Sequence, residues 1–307
     1  MYNERLKREF IADHTESIAS AKTLAWVFQN VEAAETRLDK DLCVMTTQEI
    51  EDAIRNVGKT SYASMANLQS YLRSYGKWCL EHQIPGVRDD LSKIRVVDLS
   101  AFARTMVAGP HDLQRQLDSV LLPELDLTVD NVLRAYLWMV FAGMPRALAE
   151  TITADNVDFN NGVIAVDQLE FPIYPQAVPA LRNCASRTSF RMIHPLYEPV
   201  FKDRYPSSRL FRMIKGDADG QGIEKQYARK RAGIHDPSLR RFNYTTLRKS
   251  GFFYRYYMLE REGVADPFRD AAFMFLDDMD RRTSETAAHA IRALRRDYNF
   301  WKEAFRV

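Results

Sequence analysis

Between Glu224 and Arg255 nine basic residues, Lys225, Arg229, Lys230, Arg231, Arg240, Arg241, Arg248, Lys249 and Arg255, stand against two acidic ones, Glu224 and Asp236. That is a local charge of +7 in a chain whose total is +2, which leaves −5 for all other residues. Lysine and arginine at this density bind phosphate by displacing its condensed counterions. The segment therefore has the signature of a polyanion-binding face on a mildly acidic frame. A solvated helix surface is the plainer reading of such a run. Other chemistries have less to stand on. Cys43, Cys79 and Cys184 are far apart and form no CxxC pair, which fits small buried side chains in a reducing compartment. The six histidines show neither HxxxH nor HExxH spacing, so neither a metal site nor a cofactor is expected. The loop from Gly216 to Gly222 lacks the spacing and the twelfth-place glutamate of a calcium loop and reads as a turn. No Gly-rich phosphate loop or nucleophile elbow occurs.

The elements that must carry this basic face are mostly helices. At 307 residues the chain is about two domains long. With 46% hydrophobic and 27% charged residues it is not collagen-like, coiled-coil or wholly disordered. The longest apolar run, Ala135 to Met144, is about ten residues, half of what a membrane helix needs. The charged opening Met1-Tyr2-Asn3-Glu4-Arg5 lacks the apolar core of a signal peptide, so a cytoplasmic protein without a membrane partner is expected. Ile18, Ala21, Ala25 and Phe28 recur at helical spacing, and Thr46 caps a helix with acidic first-turn residues. A third helix, capped by Thr60 or Ser61, buries Leu68, Tyr71, Leu72, Tyr75, Trp78 and Cys79 and turns Arg73 and Lys77 outward. Small residues and the Gly109-Pro110 pair place a linker at 107–112, between domains 1–106 and 113–307.

In the second domain, Thr128 to Phe141 reads as a buried central helix. Val157 to Phe159, Asn160-Asn161-Gly162 and Val163 to Val166 give strand, turn and strand, and a third strand is expected at Phe171 to Tyr174. Arg209 to Ile214 is strand-like. Helices are expected at 176–188, 223–231, 245–261, 267–279 and 284–305.

A helical domain, a linker and a helical domain with one small early sheet is the outline of the tyrosine recombinases, the phage integrases. That family clamps DNA and holds the scissile phosphate with two arginines, one after a buried helix and one in a His-x-x-Arg motif. Here Ala142-Gly143-Met144-Pro145-Arg146 follows the buried helix, and Thr245-Thr246-Leu247-Arg248 resembles the second element 102 residues later. The resemblance implies that Arg146 and Arg248 are phosphate ligands. The rest of the family pattern departs. No lysine or arginine occurs from Ile164 to Pro172, where the family carries its lysine acid; Thr245 replaces the histidine; and Pro145 lengthens the first turn by one residue. Neither the later His or Trp, near Asp270 to Phe273, nor the tyrosine, near Met279 to Arg282, is present. The one later tyrosine, Tyr298, lies in the stripe Ala287, Ile291, Leu294, Tyr298, Trp301 and Phe305, which reads as packing.

Met1 to Ile11, Leu38 to Leu42 with its following Thr-Gln-Glu helix start, Tyr71 to Leu80 and Leu247 to Gly251 resemble the phage lytic-cycle repressors of the SPbeta group, the MrpR type. That resemblance implies a mainly α fold with a small β-sheet, tyrosine recombinase-like. It comprises a helical core-binding (SAM-like) domain followed by a catalytic-type domain with no recombinase chemistry. It further implies a repressor in the bacterial host cytosol that binds double-stranded phage operators to maintain lysogeny, with a phage or host regulatory protein as a further partner. Phosphate contacts are then expected from Arg146, Arg248, Lys249, Lys225, Arg229, Lys230, Arg231, Arg240 and Arg241. Lys59, Ser61, Asn67, Arg73 and Lys77 are expected to face DNA from the first domain. Of the aromatics Phe252, Phe253, Tyr254, Tyr256 and Tyr257, most are expected in the core, with Tyr256 or Tyr257 within reach of the sugar-phosphate backbone. Two alternatives stay open: an active recombinase working through an atypically placed tyrosine, Tyr298 or one supplied in trans, and a module whose basic segment meets an acidic protein.

Overall fold

The computed structural model describes residues 1–15, 17–57, 62–95, 103, 106–121, 129–149, 151–194, 197–204, 207–212, 244–264 and 284–307. The chain forms two compact units, Met1–Phe102 and Ala103–Val307. No helix among the described residues is long and apolar enough to cross a membrane.

The first unit is built from α1 (Glu4–His14), α2 (Ile18–Leu38), α3 (Thr47–Asn56) and α4 (Tyr62–Glu81). Ser17 caps α2 through the amide of Ser20. Thr46 and Glu49 form a reciprocal capping box at α3, with Thr46 N–H to Glu49 Oε2 at 2.9 Å and Glu49 N–H to Thr46 Oγ1 at 3.3 Å. On α4 the side chains of Leu68, Leu72, Tyr75, Trp78 and Cys79 are buried, as their spacing predicts, and Tyr71 is half-buried. Phe10 of α1 sits among Phe28, Tyr75 and Trp78, with ring centroids 5.2–5.8 Å apart and edge-on geometry. Beneath these rings Lys7 and Glu35 are both fully buried and form an ion pair. Lys7 Nζ also donates to the Tyr2 carbonyl at 2.8 Å, and the Glu35 carboxylate accepts the Leu42 amide at 3.0 Å. Asp41, 3.8 Å from Lys7, accepts from the Tyr75 hydroxyl and the Cys43 amide. Burial pushes the Glu35 carboxyl up to about 7 against the opposing pull of Lys7.

The second unit centres on α6 (Val129–Phe141), whose residues Asp130 to Phe141 are all buried. Around it lie α5 (Pro110–Val120), α7 (Arg146–Ala149), α8 (Val178–Ser186), α9 (Tyr244–Arg261) and α10 (Ser284–Phe305). The antiparallel sheet β1 (Val157–Asp158), β2 (Val163–Val166), β3 (Leu169–Pro172) pairs Asp158 with Val163 and Ile164 with Phe171. Asp158 ties the turn by accepting the Asn160 and Asn161 amides, and Gly162 supplies its positive φ of 68°. The third strand thus lies two residues earlier than expected. A second ribbon, β4 (Ser189–His194) with β5 (Tyr197–Asp203), stands where the sequence suggested none. Pro199 inside β5 argues against a strand, but a two-stranded ribbon leaves each strand one open edge where a proline is tolerated.

The division between the units also differs from expectation. Residues 107–112 are not a linker. Val107 is buried, its amide donates to Ser250 Oγ at 3.0 Å and its carbonyl accepts from Trp301 Nε1 at 3.0 Å. Gly109-Pro110 starts α5, with proline at the position where a missing N–H does no harm. The expected helices at 223–231 and 267–279 and the loop 216–222 lie outside the described residues, as does part of the strand-like 209–214.

Gly251 is the contact on which α9 seats. It faces the Phe141 carbonyl oxygen at the end of α6, and a Cβ there would overlap that oxygen. Helix propensity alone would have Gly251→Ala stabilise α9 by about 0.5–1 kcal/mol. The steric clash dominates, so a loss of about 3 kcal/mol is expected. Urea unfolding reads the sign, and an unchanged or raised midpoint would disprove the close approach. In the first unit, Lys7→Met leaves the Glu35 carboxyl buried without its cation, to be protonated or left uncompensated, and is expected to cost about 3–5 kcal/mol. Lys7→Met/Glu35→Leu should recover most of that loss. Equal instability of the single and double variants would count against charge burial as the cause.

Candidate nucleic-acid interface

The turn after α6 is a glycine C-cap. Gly143, at φ +99°, donates to the Val140 carbonyl at 3.0 Å, and Met144 donates to the Met139 carbonyl at 3.0 Å. This is the paired 5→2 and 6→1 pattern that closes a helix when glycine takes the left-handed residue. The closure turns the Gly143 and Met144 carbonyls toward α9. Tyr244 and Arg248, one turn apart on that helix, take them: the Tyr244 hydroxyl donates to Met144 O at 3.0 Å and Arg248 Nε to Gly143 O at 3.0 Å. Pro145 follows as a helix stopper and Arg146 opens α7, exposed, its guanidinium over the Tyr244 ring at 5.0 Å. The structure therefore brings Arg146 and Arg248 to one turn, across 102 residues of sequence.

Arg248 is 4% exposed and holds the turn from within. A third arginine joins it. Arg255, two turns further along α9, places an Nη 2.7 Å from where a Gly143 Cβ would stand; that flexible end could give way, and it is the φ of +99° that calls for glycine there. Its Nε is buried without a hydrogen-bond partner. Burial discourages its charged form, and the charge of Arg248 adds to that effect. Tyr174 lies beside it, its hydroxyl also unpartnered and pushed up to about 12 by burial. The i, i+7 spacing of Arg248 and Arg255, on one helix face, was the available signal for this residue. Thr245 is exposed on the first turn of α9.

Two expected contacts look different in the structure. Lys249 donates to Asp297 Oδ2 of α10 at 2.8 Å, so its ammonium ties two helices together rather than standing ready for phosphate. Arg73 is half-buried rather than outward, with its guanidinium on the Ile94 carbonyl. Lys77 is 79% exposed, with Glu81 3.5 Å away, and Asn67 is exposed on the same side of α4. Ser70 and Ser74 lie between them on that side, unremarked by the sequence reading. Lys59, Ser61, Lys225, Arg229, Lys230, Arg231, Arg240 and Arg241 lie outside the described residues.

Tyr298 is 2% exposed. Its ring packs edge-on to Tyr256 at 4.8 Å and parallel to Trp301 at 6.0 Å, and its hydroxyl donates to Glu260. Burial and that hydrogen bond raise its pKa above the usual phenol value. Phe252, Phe253 and Tyr256 are buried, and Tyr257 is half-buried against Trp301. Tyr256 therefore faces the core rather than a ligand. Among the described residues no cluster of His, Cys, Asp and Glu is placed to hold a metal.

Solved structures similar to the chain include a XerA recombinase, at 16% identity over 97% of this chain and 98% of that one, with a TM-score of 0.36. The Tn1549 transposon integrase in complex with circular intermediate DNA is another, at 11% identity over 93% and 94%, with a TM-score of 0.33. No curated protein matches the chain significantly. Residues 1–81, the span of α1 to α4, match the family model described as the MrpR N-terminal core-binding domain.

Proposed function

We propose that the chain is a double-stranded DNA-binding repressor with a tyrosine recombinase-like fold and without recombinase chemistry, holding phage lytic genes silent. The observation that carries the reading is the turn at Gly143, where Arg146, Arg248 and Arg255 converge from two elements far apart in sequence. Guanidinium groups match phosphate oxygens in a two-pronged geometry whether or not a bond is then broken. The match of residues 1–81 to the MrpR core-binding domain supports the repressor assignment. The surplus of basic residues from Lys225 to Arg255 supports a polyanion as ligand. The missing acid and histidine and the buried position of Tyr298 favour binding over cleavage. A nucleophile must reach the phosphate with a hydroxyl that can give up its proton, and Glu260 holds this one back.

DNA affinity is expected to fall steeply with salt, log K against log salt sloping by several units. Arg146→Gln, at an exposed position, should weaken binding and make that slope shallower by about 0.9, the contribution of one phosphate. Gel shifts over a salt series on prophage DNA measure both; a flat salt response would sink the reading. A nicked suicide duplex separates repressor from enzyme. No covalent adduct is expected, and an adduct that disappears in Tyr298→Phe would establish the active recombinase instead.

A further inference from the structure

A second group of arginines lies where α8 ends and the β4–β5 ribbon begins, on none of the elements that frame Gly143. Arg204, the residue after β5, is 4% exposed. Its guanidinium lies over the Phe190 ring at 4.7 Å, and its Nη1 donates to the Cys184 carbonyl at 3.0 Å. Its Nε and Nη2 are buried and have no hydrogen-bond partner. Arg212 lies near enough for its charge to act on Arg204, donating from Nη2 to the Arg187 carbonyl at 3.1 Å, with its own Nε buried and unpartnered. The charges of Arg212 and Arg187 both act on Arg204, whose charged form burial already disfavours. From Arg187 to Arg212 the chain carries six basic residues and two acidic ones, Glu198 and Asp203. Among the described residues neither acid pairs with any of the three arginines.

One plain explanation covers part of this arrangement. Arg204 and Arg212 each donate to a carbonyl at the C-terminal end of α8, where positive charge is favoured. That role uses one nitrogen of each fork. It leaves three buried guanidinium nitrogens, on two adjacent cations, unanswered. Desolvated like charges with unanswered donors are unfavourable unless an anion completes them.

We propose that Arg187, Arg204 and Arg212 form a phosphate-binding site at the base of the β4–β5 ribbon. The ligand chemistry is a phosphoryl group whose oxygens take the open Nε and Nη2 of Arg204 and the Nε of Arg212, with exposed Arg187 at the mouth. The phosphoryl group comes either from a DNA backbone or from a free phosphate or nucleotide. The first source rests on the proposed function; the second does not.

The test uses the full chain and the double variant Arg187→Gln/Arg212→Gln, with Arg204→Lys as a second variant that keeps the charge and loses the fork. Sodium phosphate is compared with sodium chloride at equal ionic strength, at several times the phosphate dissociation constant. Phosphate should raise the wild-type Tm by about 3 °C and leave both variants unmoved. In a DNA titration over a salt series the double variant should flatten the log–log slope by about 0.9 if the occupant is a backbone phosphate. An unchanged slope with the phosphate-specific Tm rise retained by wild type alone assigns the site to a free phosphoryl ligand. Equal Tm in phosphate and chloride, together with an unchanged slope, overturns the site. If wild type binds no DNA at all, the proposed function fails while the Tm comparison still decides this one.

Discussion

The approach of α9 to the end of α6 governs the second unit. Gly251 allows it, because nothing larger than hydrogen fits beneath the Phe141 carbonyl. From that seat the rest of α9 follows at fixed helical intervals. Arg248 and Tyr244 lie one and two turns back, where the Gly143 and Met144 carbonyls await them. Arg255 lies one turn ahead, against the bare Cα of Gly143. Two glycines on different elements thus set the positions of Arg248 and Arg255. The turn is held along the length of α9, with its side-chain donors already in place.

Several buried or half-buried cations among the described residues fall into two kinds. Lys7 has Glu35, Arg134 has Asp118 at 2.6 Å, and the half-buried Lys249 has Asp297. These pairs join elements: α1 to α2, α6 to α5, α9 to α10. Arg255 and Arg204 have carbonyls, aromatic faces or other arginines around them and no carboxylate partner; unpartnered nitrogens occur in both kinds, Arg134 Nε and Nη2 included. A folded chain tolerates the first kind because each charge is answered internally. The second kind is more costly to fold around, which gives it a meaning that the near-zero total charge conceals. The +2 of the whole chain averages over both kinds.

Much of the architecture was legible because local rules acted alone. Thr46-Thr47-Gln48-Glu49 forms the capping box its spacing promises, Asn161-Gly162 turns the hairpin, and α10 spans Ser284–Phe305 as its apolar stripe predicts. The misreadings occur where a tertiary partner overrides a local signal. Gly109-Pro110 resembles a linker, yet Trp301 and Ser250 anchor Val107 beside it. Arg73 lies off the apolar stripe of α4, yet the Ile94 carbonyl draws it in. Lys249 belongs to the densest basic stretch, but an aspartate 48 residues later occupies it. Arg204 and Arg212 carried no motif at all. The closeness of Arg204 to Arg187 depends on the β4–β5 register, which pairs Ser189 with Asp203 and brings the two ends of the ribbon together.

The position of α10 bears on catalysis more directly than any single missing residue. A nucleophile on Tyr298 would need that helix to release its tyrosine. The helix is pinned at three points: Trp301 to the Val107 carbonyl, Asp297 to Lys249, and Tyr298 itself to Glu260. Around the ring, Phe253, Tyr256 and Trp301 contribute aromatic contacts worth roughly 0.5–1.5 kcal/mol each beyond their buried area. Freeing the hydroxyl would forfeit these contacts and leave Glu260 with Lys302 alone at 3.2 Å. The sum is a sizeable fraction of the 5–15 kcal/mol that holds a typical domain folded. Presenting Tyr298 to a phosphate therefore amounts to dismantling part of the core, whereas the contacts at the Gly143 turn are made by α9 and draw on no residue of α10.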